Sequence, residues 1–259
     1  MTRQALVHFF RAFSLILIVF LVTGTSSRIS AQTGRGPSDT VREFYKAMRE
    51  KRFREAFSMS IYRIAVEDLT PAEFDDLRPD FERLAAEIPA QVNITGEQAS
   101  GDSATVFIKI KDAENKDHLE TVSLLRVSGV WIVGDRDNQE IVKQAGKSFF
   151  FNARIDALHD QAQALLRRIA LSQLAYSQNN NGRFGDLAAL IKAGLIPKDL
   201  EGTESTGYRF RVTLSPDAKS WTATAEPAQY GRTGRLSFQM DQSGLRSGDV
   251  GGKPLSKAP

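Results

Sequence analysis

The feature that most constrains the fold is an uninterrupted helical stretch in the middle of the chain. No glycine or proline occurs between Gly146 and Gly182, and apolar residues recur there every three or four positions. This pattern predicts one helix of about thirty residues from Ser148, roughly 45 Å long. Strand-like segments occur both before and after this helix. We therefore expect an α+β chain with two domains, at residues 36–147 and 148–252.

The first domain changes from helical to strand-like patterning along its length. Phe44 and Met48 belong to an early amphipathic helix, and prolines start further helical turns. Apolar and polar residues then alternate at period two, with turns expected at Gly101-Asp102 and Ser128-Gly129. This order predicts helices followed by a four-stranded antiparallel sheet that covers them.

Three segments of this domain carry a family resemblance: Gly36–Met48, Phe53–Phe57 and Val130–Asp135. They resemble the nuclear transport factor 2-like superfamily, and in particular its exported bacterial branch of unknown function. The resemblance implies a cone made of a curved antiparallel sheet around helices. In that superfamily the cone is either solid or holds a small ligand.

Four residues are candidates for a ligand pocket in such a cone. Tyr45, Tyr62 and Trp131 would line it, and Asp135 would be a polar group at its mouth. The alternative, which we favour, is that the aromatic residues fill the core and that Asp135 begins a turn. His118 is surrounded by charged residues on a strand and is expected at the surface, so it is a poor acid or base catalyst.

In the second domain the long helix should pack on a small sheet. Its apolar stripe runs through Ile155 and Ile169 and broadens toward Leu174 and Tyr176, which predicts that the second half of the helix packs on the sheet. A short helix at 186–193 and three to four antiparallel strands should follow. The overall expectation is a helix-plus-curved-antiparallel-sheet cone followed by a long helix packed on a small antiparallel sheet.

The order of elements in this domain resembles the globular head of type IV pilins and type II secretion pseudopilins. The residues that carry the resemblance are Ala170–Tyr176, Asn181–Phe184, Leu187–Leu190, Gly194–Pro197, Gly207–Phe210, Ala223–Pro227, Tyr230–Gly234 and Ser237–Phe238. Pilins begin with an apolar helix, whereas this helix follows another domain and carries Arg154, Asp156, Asp160 and Arg167. Such charges are costly in a membrane, which indicates a pilin-like head reused for contact or scaffolding.

The N-terminal residues have the pattern of a secretory signal peptide. Arg3 and Arg11 precede an apolar run at 12–22 that is too short to cross a hydrocarbon core of roughly 30 Å. We predict a signal peptide at residues 1–31, cleaved after Ala31, and a periplasmic or extracellular protein. The alternative is an uncleaved inner-membrane anchor at residues 9–24.

Composition excludes several function classes. The absence of cysteine rules out disulfides, thiolate catalysis, cysteine-ligated zinc and lipidation. The densest basic cluster, Arg49 to Arg54, is interrupted by Glu50, which predicts a solvated helix surface and no nucleic-acid partner. Asp241 and Asp249 could suggest a calcium loop, but so few carboxylates favour turn chemistry. We expect no cofactor and no metal.

These observations predict a non-catalytic exported envelope protein that acts through protein–protein contacts or scaffolding. Its partners would be envelope proteins of unknown identity, and pairing of the first domain into a homodimer is a further option. Two alternatives stay open. The first domain would bind a small apolar ligand, or carry out isomerase-like chemistry, in its cone; or the protein would be an accessory component of a type II or type IV secretion or pilus system. The tail at 253–259 is expected to be disordered.

Overall fold

The computed structural model describes residues 34–89, 91–111, 116–203 and 205–256. These residues form two compact units that meet in sequence between Phe150 and Phe151, and each unit contains a four-stranded antiparallel sheet. The expected α+β class is confirmed, with one set of helices and a sheet followed by a long helix and a second sheet. The predicted signal peptide and the alternative anchor lie outside the described residues.

Four helices open the first unit: α1 (Pro37–Arg49), α2 (Phe53–Ser58), α3 (Arg63–Glu67) and α4 (Pro71–Ala86). Proline occupies the first position of α1 and α4, where its fixed φ suits a helix and its missing N–H costs nothing. Thr70 completes a capping box at the start of α4, since its side chain accepts from the backbone N–H of Glu73 and the Glu73 carboxylate accepts in return.

The first sheet consists of β1 (Asn93–Ser100), β2 (Ser103–Lys111), β3 (Asp117–Val127) and β4 (Val130–Val133), paired in sequence order. The turn at Gly101 and the turn at Ser128 and Gly129 lie where the sequence predicts them, and all three residues have positive φ. Alternate residues Ala104, Val106 and Ile108 are buried, so one face of the sheet belongs to the core. A polar helix, α5 (Arg136–Ala145), follows β4.

Aromatic rings fill the core among the helices of this unit. The ring of Phe81 lies 4.9 Å from Phe57, 5.0 Å from Phe150, 5.3 Å from Phe74 and 5.7 Å from Phe53. These separations are in the range of favourable aromatic contacts. The interior beside α2 and α4 is therefore packed with side chains.

The second unit is built on α6 (Phe149–Gln178), whose first two residues belong to the first unit. A short helix, α7 (Leu187–Lys192), and a second sheet follow: β5 (Tyr208–Leu214), β6 (Trp221–Pro227), β7 (Leu236–Asp241) and β8 (Gly244–Asp249). Leu166 and Ile169 of α6 pack with Tyr208, Trp221 and Phe238 of the sheet in one core. The predicted thirty-residue helix is confirmed.

One detail of the helix prediction is wrong. Tyr176 packs against the core as expected, but Leu174 is 59% exposed and Leu171 is 70% exposed. The buried positions Leu166, Ile169 and Gln173 lie on the opposite side of the helix from these leucines. None of the helices in the described ranges combines the length and the apolarity that crossing a membrane requires.

Candidate functional site

The four predicted pocket residues have different charged neighbours in the structure. Tyr62 at the start of α3 lies near Asp135 at the start of α5, and the charge of this carboxylate helps to raise the pKa of the Tyr62 hydroxyl. Tyr45 on α1 has Glu120 of β3 as its charged neighbour instead. Trp131 of β4 lies under Arg126, with 5.8 Å between the guanidinium carbon and the ring centroid.

Both tyrosines are half-buried side chains. Burial raises the pKa of Tyr45 to about 12, with Glu120 acting in the same direction. Burial likewise raises the pKa of Tyr62 to about 12, with Asp135 adding to the effect. The Tyr62 ring contacts Phe57, Phe149 and Phe150 at 5.5 to 6.3 Å. These hydroxyls therefore stay protonated at neutral pH, so they can donate hydrogen bonds but do not act as bases.

Asp135 is the N-cap of α5. Its side chain accepts hydrogen bonds from the backbone N–H of Asn138 at 2.9 Å and from the Asn138 side-chain amide at 2.7 Å. The sequence indicated only a turn here, because the helix that follows has Val142 as its buried residue and so lacks an apolar stripe. Capping accounts for the carboxylate without a ligand.

Two surface clefts among the described residues lie in the first unit. The smaller, of about 180 Å³, is lined by residues of β3 and α5 that include Arg126, Arg136 and Lys143. The larger, of about 450 Å³, lies between α2 and α4 and is lined by residues that include Arg54, Pro71 and Phe74. None of the four predicted pocket residues lines either cleft.

Most cations of the larger cleft already have carboxylate partners. Arg52 pairs with Glu43 at 3.1 Å, with Glu50 at 2.8 Å and with Glu55 at short range. Hydrogen bonding to Glu55 is the main cause of a raised pKa for Arg52, followed by Glu43 and Glu50. Within the basic cluster that the sequence singles out, Arg52 is thus the centre of an ion-pair network and Lys51 pairs with Glu82, whereas Arg49 and Arg54 pair with no carboxylate in the described ranges.

The carboxylates of Asp241 and Asp249, which the sequence offered as a calcium loop or as turn residues, make hydrogen bonds to nearby protein groups. The Asp241 side chain accepts from the backbone N–H of Ser243 at 2.8 Å, and hydrogen bonds from Ser243 lower the pKa of this carboxyl. The Tyr230 hydroxyl donates to Asp249 at 2.9 Å. Among the described residues no group of three or more His, Cys, Asp or Glu side chains is placed to hold a metal ion.

The outer face of α6 is a second candidate surface. Leu171 and Leu174 are three positions apart and so form one exposed apolar patch on the helix. Arg167 and Arg168 are exposed on the preceding turn and make no ion pair with any side chain in the described ranges. The patch is therefore apolar with a positively charged border.

Comparison with known proteins gives little guidance. No family model matches the chain, and no curated protein matches it. It is similar to the 2.00 Å crystal structure of a Campylobacter jejuni protein described as an NTF2-like transpeptidase, at 15% identity and a TM-score of 0.29. The match covers 39% of this chain and 100% of the other. Such a TM-score is too low to assign fold or activity, so the two resemblances found in the sequence remain proposals.

Proposed function

We propose that this protein is a non-catalytic, exported protein of the cell envelope that acts by binding another envelope protein through the outer face of α6. The first unit would be a nuclear transport factor 2-like domain and the second a pilin-like head. The observation that carries the proposal is the exposed pair Leu171 and Leu174, at 70% and 59% of their full surface.

Leu171 and Leu174 lie next to each other on the exposed side of α6. Single exposed leucines are common on soluble proteins, but two neighbours on one helix face form a continuous apolar patch. Covering both with a partner would contribute on the order of 1.5–3 kcal/mol each before the costs of association. The opposite side of this helix supplies Leu166 and Ile169 to the core, so the patch adds little to the unit's own packing.

The border of the patch indicates the chemistry of the partner. Arg167 and Arg168 lie beside the leucines with no carboxylate partner in the described part of the chain. An amphipathic helix with apolar residues at its centre and acidic residues along one edge would complement both features.

A site-specific crosslinking experiment tests the proposal. A photoreactive amino acid would replace Leu171 in the full chain, expressed in its native host, and the control would replace Leu119. Leu119 is a matched control because it is 68% exposed but lies on the first sheet. We expect one discrete adduct from position 171 and none from position 119.

The adduct's mass separates the outcomes. A mass of this chain plus a second envelope protein supports the proposal. A mass of two copies of this chain would replace the proposed partner with self-association. Adducts of equal yield from positions 171 and 119, or none from either, would contradict the assignment of α6 as the contact surface.

A further inference from the structure

The larger cleft of the first unit contains an arginine that its neighbours do not neutralise. Four cations line the cleft, at Lys51, Arg52, Arg54 and Arg78, against the two carboxylates Glu55 and Asp75. Lys51 pairs with Glu82 at 3.2 Å and Arg78 pairs with Asp75 at 2.8 Å, while Arg52 has three carboxylates. Arg54 has no carboxylate partner within the described ranges.

Arg54 is nevertheless held in a fixed place. Its guanidinium carbon lies 4.1 Å from the centroid of the Phe74 ring, a close cation–π contact. Two of its N–H groups make long contacts with the carbonyl oxygens of Val66 at 3.4 Å and Leu69 at 3.5 Å. Because both contacts are near the limit of a hydrogen bond and a guanidinium has five donors, donors remain for a stronger acceptor.

The stacking on Phe74 matters for what this arginine can bind. A guanidinium whose plane is fixed by an aromatic ring loses less freedom when it binds, and its fork of donors matches a planar carboxylate. The cleft also offers apolar surface from Pro71 and a small edge of Phe74, which is 5% exposed, within a volume of about 450 Å³. That volume lies in the range of small-molecule sites.

We propose that this cleft binds a small organic anion with a carboxylate on a flat apolar body. The carboxylate would accept two hydrogen bonds from Arg54, and the apolar body would lie against Pro71 and the edge of Phe74. The site is separate from the outer face of α6 and does not rest on the function proposed above. It also differs from the cone pocket predicted at Tyr45, Tyr62, Trp131 and Asp135, since none of these residues lines the cleft.

Benzoate is a suitable probe because it combines a carboxylate with a flat ring. Titration of the purified full chain at low ionic strength, followed by NMR shifts, should give a dissociation constant on the order of 1 mM. The shifts should centre on the side chains of Arg54 and Phe74. Benzyl alcohol, which has a similar body without the charge, should bind at least tenfold more weakly, and added salt should weaken benzoate binding.

Variants of the cleft separate a binding role of Arg54 from a structural one. Arg54→Gln should weaken benzoate binding at least tenfold, and Arg54→Lys should fall between because it keeps the charge but loses the fork. Asp75→Asn removes an acid from the cleft and releases Arg78, so it should tighten binding severalfold. The control Arg63→Gln alters an exposed arginine that pairs with Glu67 outside the cleft, and it should change nothing.

The Asp75→Asn arm keeps the test decisive if Arg54→Gln unfolds the α2–α4 region, since a destabilised fold does not increase affinity. Tighter binding by this variant, with shifts at the cleft, supports the proposal. Equal binding of benzoate and benzyl alcohol, shifts away from the cleft, or unchanged affinity in Asp75→Asn would overturn it.

Discussion

In the second unit, Nε2 of His159 accepts a hydrogen bond from the backbone N–H of Arg235 at 3.0 Å. The same nitrogen lies 3.3 Å from the backbone N–H of Leu236, at the start of β7. An imidazole nitrogen accepts only without a proton, so this arrangement needs the neutral ring. Burial lowers the pKa of His159; Asp156 and Asp160 act to raise it, and Arg235 acts to lower it. The rings of Tyr208 and Phe238 pack on it from the sheet.

The free energy of unfolding should therefore depend on pH through His159. The unfolded chain binds this proton near pH 6.5, whereas the folded chain binds it only at lower pH. The contribution is fully present above about pH 6.5 and is lost as pH falls from there toward the lower folded pKa. Urea unfolding at several pH values measures it. His159→Gln, which keeps an acceptor without titrating, should flatten this part of the profile.

His118→Gln is the matched control for that prediction. His118 lies on β3 and its side chain is 60% exposed, so its replacement should leave the slope as in the unaltered protein. An equal change of slope in both variants would show that the geometry around His159 is not responsible.

Gly234→Ala should destabilise the second unit by about 2–3 kcal/mol, by overpacking. A Cβ at Gly234 would lie 2.0 Å from the hydroxyl oxygen of Tyr208. The Tyr208 side chain cannot easily move away, because its ring is fully buried and its hydroxyl donates a hydrogen bond to the carbonyl of Leu236 at 3.0 Å. Denaturant unfolding measures the loss. Gly202→Ala is the control, because its Cβ would meet no atom closer than 4.0 Å.

A double mutant tests the cause of the Gly234 effect. Tyr208→Phe removes the hydroxyl oxygen at 2.0 Å but keeps the ring carbon that the new Cβ would meet at 2.6 Å, so the two changes together should cost less than the sum of their separate costs while Gly234→Ala stays destabilising. Additive costs would mean that the hydroxyl is not the obstacle.

Ser237→Ala should stabilise the second unit by about 1 kcal/mol. Ser237 of β7 is fully buried, and its hydroxyl has no hydrogen-bond partner among the described residues. Removing a buried hydroxyl without a partner removes a desolvation cost. Ser172→Ala should do the opposite, because that hydroxyl donates to the carbonyl of Leu195 at 3.2 Å. Thermal unfolding of the two variants should give shifts of opposite sign.

Export should leave a new N-terminus. If residues 1–31 are a signal peptide, the protein recovered from the envelope fraction should begin at Gln32. Intact mass measurement checks this directly. A protein that keeps residues 9–24 would instead support the membrane-anchor alternative, and a full-length protein in the cytosol would contradict export.

The sequence predicted those parts of the fold that local patterning controls. The turns at Gly101 and Gly129, the long helix α6 and the alternation in β2 each follow from residues close together in the chain. The polar helix α5 escaped prediction because it buries little, although Asp135 is a good N-cap residue. The N-cap signal was present, but no apolar stripe followed it.

The candidate sites depended on packing that no local pattern encodes. The sequence marked the basic cluster around Arg52 as a solvated surface, but not that Arg52 would take three carboxylates and leave Arg54 without one. Phe74, on which Arg54 stacks, is twenty positions further along the chain in another helix. The apolar stripe of α6 is wide near Leu174 and Tyr176, so the sequence alone does not indicate which of the two side chains packs on the core.

The sequence by itself determined the α+β class and the elements that carry a strong local pattern, such as α6 and β2, because backbone dihedral preferences and the period of apolar residues are local properties. Only the tertiary structure decided which side of α6 faces the sheet, which cations find carboxylates and where the clefts open. Those outcomes depend on distances between residues far apart in the chain, and the distances are set when the helices and sheets pack.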